Sequence, residues 1–111
     1  MNMHDKAHEL ASAIKEFEAY REMKAVRRQI DADGVSKAML GDFRRLQSEL
    51  NRQAASGVQP QQTEVERLEK LYGTIAQNPA IRKLFEAERQ LSEALEEVQR
   101  IIAEPLREMM D

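Results

Sequence analysis

The 111 residues carry 33% charged and 41% hydrophobic side chains, 4 Gly, 3 Pro, no Cys and a net charge of −3. The lack of Cys excludes disulfides, thiol nucleophiles and Cys-ligated zinc or iron–sulfur centres, and the weakly acidic balance lacks the dominant basic face of a nucleic-acid binder. Because 14 of the hydrophobic residues are Ala, large apolar side chains are few, so a single helical domain over residues 1–111 with one narrow apolar stripe per helix is predicted.

Apolar spacing of three and four predicts a first helix over residues 3–17, with Met3, Ala7, Leu10, Ile14 and Phe17 in line. A second covers residues 18–32, with Tyr20, Met23, Val26 and Ile30. No Gly or Pro separates the two, so the pattern fits one continuous helix or two. Asp31-Ala32-Asp33-Gly34 is a stop, Gly34 suiting a left-handed position and Asp33 an N-cap. A third helix follows over 35–55; Gly41 inside it suggests a close helix crossing. Residues 56–62 read as a loop, and Thr63-Glu64-Val65-Glu66 reads as a capping box opening a fourth helix over 63–77. Asn78 is the expected cap of a fifth helix over 79–109, with Pro79 at its first position. The fifth helix carries Ile81, Leu84, Leu91, Leu95, Val98, Ile102, Leu106 and Met109 on one stripe, and Pro105 should kink or end it.

That last helix is the most informative element. About 31 residues at 1.5 Å each make a rod of roughly 46 Å, whereas a compact domain of this size is about 34 Å across. Its end therefore frays or is covered by another chain. The proximal stripe, Ile81 to Leu95, is expected to pack within the domain. Val98, Ile101, Ile102 and Leu106 are the candidate self-association residues, and a two-fold homodimer is the expected assembly.

Chemistry is sparse. His4 and His8 share a helix face but lack the Glu of the zinc-protease pattern, so they are expected to be solvated and no metal site is assigned. The aromatics Phe17, Tyr20, Phe43, Tyr72 and Phe85 lie on or beside apolar stripes and are expected in the core. There is no P-loop, GxGxxG or GxSxG, and no catalytic or cofactor-binding residue is assigned. Charge is uneven: residues 34–62 hold four basic against two acidic side chains, while residues 63–111 hold seven against eleven. Lys37, Arg44, Arg45 and Arg52 are thus the candidate RNA contacts of an alternative reading, although nucleic-acid binding is disfavoured overall. Glu93, Glu96 and Glu97 read as a solvated face with Arg89 and Arg100 as helical partners. The N-terminus has no apolar signal segment, and no apolar run is long enough to insert into a membrane.

Two stretches, DKAHELASAIKEFEAYREMKAVRRQIDADGVSKAMLGDFRRLQSEL and LYGTIAQNPAIRKLFEAERQLSEALEEVQRII, resemble the YlbF/YmcA family of small helical proteins from Firmicutes, in particular its YheA-like branch. The cues are Ala13-Ile14-Lys15 followed by Glu18-Ala19-Tyr20, then Ile30-Asp31-Ala32-Asp33, and Asn78-Pro79 followed by Ile81 and Phe85-Glu86-Ala87-Glu88. The resemblance implies an all-helical, cytoplasmic, dimer-forming regulatory protein without known catalysis. It also implies a place beside helical paralogues in a complex that influences competence, sporulation and biofilm formation and is linked to mRNA processing by an endoribonuclease. The cysteines that tie those relatives to iron–sulfur clusters are missing here, so no cofactor is carried over. A non-enzymatic interaction module is the leading reading, and an RNA-associated accessory protein the alternative.

Overall fold

Asn2 opens the first helix: its side-chain oxygen accepts the His4 amide at 2.7 Å. In the computed structural model, which describes residues 2–110, five helices follow in order: α1 (Met3–Glu16), α2 (Glu18–Ala32), α3 (Gly34–Ala55), α4 (Gln62–Ile75) and α5 (Pro79–Met110). The fold is all-α, with no strand among the described residues. The chain forms two compact units: the N-terminal residues through Ala25 with the C-terminal residues from Leu84, and Val26–Lys83.

In the first unit, α1 and α2 are separate helices. Phe17 is extended (φ −65°, ψ 134°), its amide closing the last turn on the Ile14 carbonyl. Its own carbonyl accepts the Arg21 amide at 3.2 Å and so begins α2. An Arg21–Glu16 ion pair spans the break. Ala19, Leu84 and Ala87 are buried, but α1 buries none of its residues. Its N-cap is worth about 1 kcal/mol and the exposed Lys6–Glu9 pair a few tenths at most, less than the roughly 1.5–3 kcal/mol of one fully buried large aliphatic side chain.

The second unit holds such side chains: Val26, Ile30, Phe43, Ile75 and Ile81 are all buried. Helices α3 and α4 pack together, with the Phe43 and Tyr72 rings 6.0 Å apart and the Gln53 amide donating to Glu49 and Glu64. Helix α3 ends in a Schellman motif: the Gly57 amide reaches the Ala54 carbonyl at 3.1 Å and the Val58 amide the Gln53 carbonyl at 2.9 Å. Gly57 is the left-handed glycine here (φ 76°).

Several local expectations change. Gly34 does not take a left-handed conformation, because extended Asp33 (φ −111°, ψ 105°) makes the reversal and Gly34 is already helical. Gly41 faces no close helix; a Cβ there would meet only the Arg45 side chain, at 3.5 Å. No capping box forms at Thr63, because α4 starts at Gln62 after a Gln61 cap that makes no side-chain bond, and Glu66 accepts from the Gln62 side-chain amide at 3.3 Å instead. Phe17 and Tyr72 are exposed, not core. Pro105 does not end α5, which continues to Met110; the surrounding turns are exposed, so the freed carbonyl is in reach of water.

Replacing Gly57 with Ala places a Cβ in the left-handed region and should lower unfolding free energy by about 1–2 kcal/mol. Urea titration against the parent measures it, and an unchanged midpoint would remove Gly57 from this role.

Candidate interaction surface

The sequence of α5 sets one side of the surface. At 3.6 residues per turn, Leu91, Leu95, Val98, Ile102, Leu106 and Met109 fall within about 80° of one another. Every Arg and Glu from Arg89 to Glu108 lies more than about 110° from the middle of that stripe. The stripe changes character along its length: Ile81 and Leu84 are buried, Leu91, Leu95 and Val98 half-buried, and Ile102, Leu106 and Met109 are 59%, 68% and 85% exposed. The four predicted self-association residues therefore sit on the distal part of the helix, with Val98 partly covered and Ile102 and Leu106 exposed on the stripe, whereas Ile101 lies about 100° from its middle and off the stripe.

Helix α1 supplies the second wall. Leu10, Ala13, Ile14 and Phe17 face Leu91, Ala94, Leu95 and Val98 across a groove of about 190 Å³. Leu10 and Ile14 are half-buried, and Phe17 is 41% exposed. No charged side chain lines the groove. Of these α1 residues the sequence reading placed Phe17 in the core, and the structure leaves it open to solvent. On another side of α5, Met23, Leu91 and Leu95 share a larger depression of about 500 Å³ with Glu88, Ser92, Glu96 and Gln99.

Some of the α5 charges pair with one another. Arg89 bonds to Glu86 and, at 2.6 Å, to Glu93. Hydrogen bonding to Glu86, then to Glu93, raises the Arg89 pKa, and Arg89 in turn holds the Glu86 carboxyl below its usual value. The Arg107 guanidinium donates to the Arg100 carbonyl at 3.0 Å.

In the Val26–Lys83 unit the basic candidates Lys37, Arg44, Arg45 and Arg52 fall within about 100° on α3. Carboxylates hold two of them: Arg45 pairs with Asp42, and Arg52 binds Glu49 through two nitrogens at 2.6 and 3.2 Å. That hydrogen bonding lowers the Glu49 pKa and raises that of Arg52. His4 and His8 lie one turn apart on α1, both exposed, and no group of three metal-ligating side chains gathers among the described residues.

A polar relay joins two helix starts in the same unit. Asp33 caps α3 through the Val35 amide at 3.2 Å, and its other oxygen accepts the Ser36 hydroxyl at 2.7 Å. Ser36, only 4% exposed, accepts the Asn78 side-chain amide at 2.8 Å. The Asn78 oxygen accepts the Ile81 amide at 3.1 Å and so caps α5. An open depression of about 520 Å³ lies beside the relay, bordered by Gln29, Thr74 and Lys83. The relay uses its own donors and acceptors to join the two helix starts.

These features define an all-helical protein whose least covered surface is an apolar helix end beside an apolar groove. The chain belongs to the YlbF/YmcA family: the family model described as control of competence regulator ComK matches residues 3–107. It is 39% identical to a UPF0342 protein of Alkalihalophilus pseudofirmus, over 97% of this chain and 92% of that one. A UPF0342 protein of Caldicellulosiruptor bescii is 33% identical over 95% and 88%. Among solved structures, a protein of unknown function (DUF964) from Bacillus stearothermophilus superposes with a TM-score of 0.86 at 27% identity, covering 97% of this chain and 95% of that one. The yheA protein from Bacillus subtilis gives 0.72 at 26% identity, covering 98% and 99%. The resemblance to the YheA-like branch is thereby shown.

The Ser36 hydroxyl, ahead of the Val35 and Ser36 amides, lowers the Asp33 pKa below its ordinary value of 3.8. A depressed folded-state pKa adds stability that is present above the unfolded value and lost as pH falls through the folded one. The parent should therefore lose stability more steeply than Asp33→Asn as pH drops below about 4. Parallel acid-denaturation curves would refute this assignment.

Proposed function

We propose that this protein is a non-enzymatic helical interaction module with a regulatory role, and that it self-associates as a homodimer through the distal face of α5. The observation that carries the reading is the charge-free apolar stripe that continues past the covered part of the helix, with Ile102 and Leu106 more than half exposed. Monomeric soluble proteins rarely leave so continuous an apolar patch open unless it binds something. The family description, control of a competence regulator, supports a regulatory setting. On that footing the protein is an adaptor in a competence, sporulation, biofilm or mRNA-processing network, with helical paralogues or an endoribonuclease complex as partners and the cytoplasm as its location. No helix among the described residues is long and apolar enough to cross a membrane.

A charge at the centre of the distal face tests the self-contact. Ile102→Glu should keep the fold, since the side chain is 59% exposed, and should weaken association by at least about tenfold, read by analytical ultracentrifugation. A variant that stays dimeric at low micromolar concentration would displace the interface from this face.

The second reading is an RNA-associated accessory role for Lys37, Arg44, Arg45 and Arg52, favoured by their common face on α3. The Asp42 and Glu49 partners weaken that face as a phosphate site. If it acts, single-stranded RNA is retained at low salt, released as salt rises, and lost in the Arg44→Glu/Arg45→Glu double variant. No mobility shift at low salt would end this reading.

A further inference from the structure

Three features compete for a further role: the polar relay at Asp33, the acidic-rimmed depression beside Met23, and the apolar groove between α1 and α5. The relay is internally satisfied, and nothing at the depression points to a ligand. The groove carries more, because the same chain also holds an exposed apolar ridge of the same length along α5.

On α5 the groove runs from Leu91 to Val98, and the exposed ridge from Ile102 to Met109. Each covers seven residue steps, about 10.5 Å of helix. A two-fold axis crossing α5 near residue 100 exchanges them, setting Val98 opposite Ile102 and Leu91 opposite Met109. One contact thus fills two grooves with two ridges, the self-complementary arrangement of an isologous pair. The charges of α5 point away from this face, so no buried ion opposes the pairing.

Helix α1 forms the far wall of that groove, and it is the helix with least support. It has 14 residues and buries none of them. Isolated helices shorter than about 12–15 residues are marginal in water. Within its own chain, the shelter available to Leu10, Ile14 and Phe17 is the open groove.

Resting on the self-association reading, we propose that the distal α5 of a second copy seats in this groove and that its arrival is what holds α1 helical, so that α1 reports and responds to assembly. Anything that occupies the face from outside then also sets the state of α1, because binding and ordering are linked.

Amide hydrogen exchange across the dimer dissociation constant, with ultracentrifugation on the same samples, tests this. On dilution, protection over residues 3–16 should fall by about tenfold or more, as for a marginal helix released from its support, while the segments around Phe43 and Ile75 stay unchanged. Leu106→Glu, at a 68% exposed position, should give the dilute pattern at every concentration. Because the chain has no Cys, Ile14→Cys/Leu106→Cys introduces the only thiols, and mild oxidation should yield a covalent dimer, which requires the paired Cα atoms to approach within about 7 Å. A dimer whose α1 protection ignores concentration overturns the coupling and leaves self-association standing. A dimer that forms no cross-link overturns this seating. A chain that is monomeric throughout overturns both readings and leaves the face to a different protein.

Discussion

A shortage of large apolar side chains, set against one long amphipathic helix, governs the rest of this structure. With 14 Ala in the chain, there is not enough aliphatic bulk to enclose 32 residues of α5. The available bulk is concentrated at its start, where Ile81, Leu84 and Ala87 are buried. From Leu91 to Val98 the stripe is half-buried, and at Ile102, Leu106 and Met109 it is exposed. Yet the stripe does not turn polar where the cover ends. Ile102, Leu106 and Met109 continue it at the same angle, and the proposed self-contact rests on that persistence.

The other organising feature is polar and local. Asp33, Ser36 and Asn78 tie the starts of α3 and α5 together through hydrogen bonds of 2.7 and 2.8 Å. A buried Ser36 hydroxyl without those partners would cost about 1–3 kcal/mol; with both, it fixes how two helices leave one corner of the Val26–Lys83 unit. The same chain thus has one region specified by satisfied polar geometry and another, α1 with the distal half of α5, left with apolar surface to spare.

Much of this was legible from residue order. Asn78-Pro79 marked the start of α5 because a cap and a proline at the first helical position are independent signals that agree. Asp33 marked the start of α3 for the same local reason. The break at Phe17 was not legible, because an extended ψ at one aromatic residue needs no Gly or Pro and leaves the apolar spacing unbroken. Thr63 failed as a cap because the chain entered the helix earlier, a choice a four-residue pattern does not contain. Gly41 suggested a crossing that three-dimensional packing never makes. For the candidate surface, the run of the apolar stripe through Val98, Ile102 and Leu106 beyond the covered part of α5 was legible from helix length and spacing together. The contribution of Leu10, Ile14 and Phe17 was not, since a stripe of half-covered residues has the same sequence as a stripe of buried ones.

The distribution of charge says what kind of recognition such a surface supports. On α5, Arg89 is held by Glu86 and Glu93; on α3, Asp42 and Glu49 hold Arg45 and Arg52. Exposed pairs of this type contribute about 0–1 kcal/mol each, so they add little to stability. Each pair does offset the field of its own charges and so weakens their long-range pull on charged partners. For the proposed contact, shape and apolar burial along one face are what would discriminate between partners. Burial of that kind is non-directional and only weakly sensitive to salt, so specificity must come from the match of ridge to groove. In the proposed pairing, a helix end that carries both ridge and groove would meet its complement in every other copy of itself, and a foreign partner would have to present a ridge that fits better.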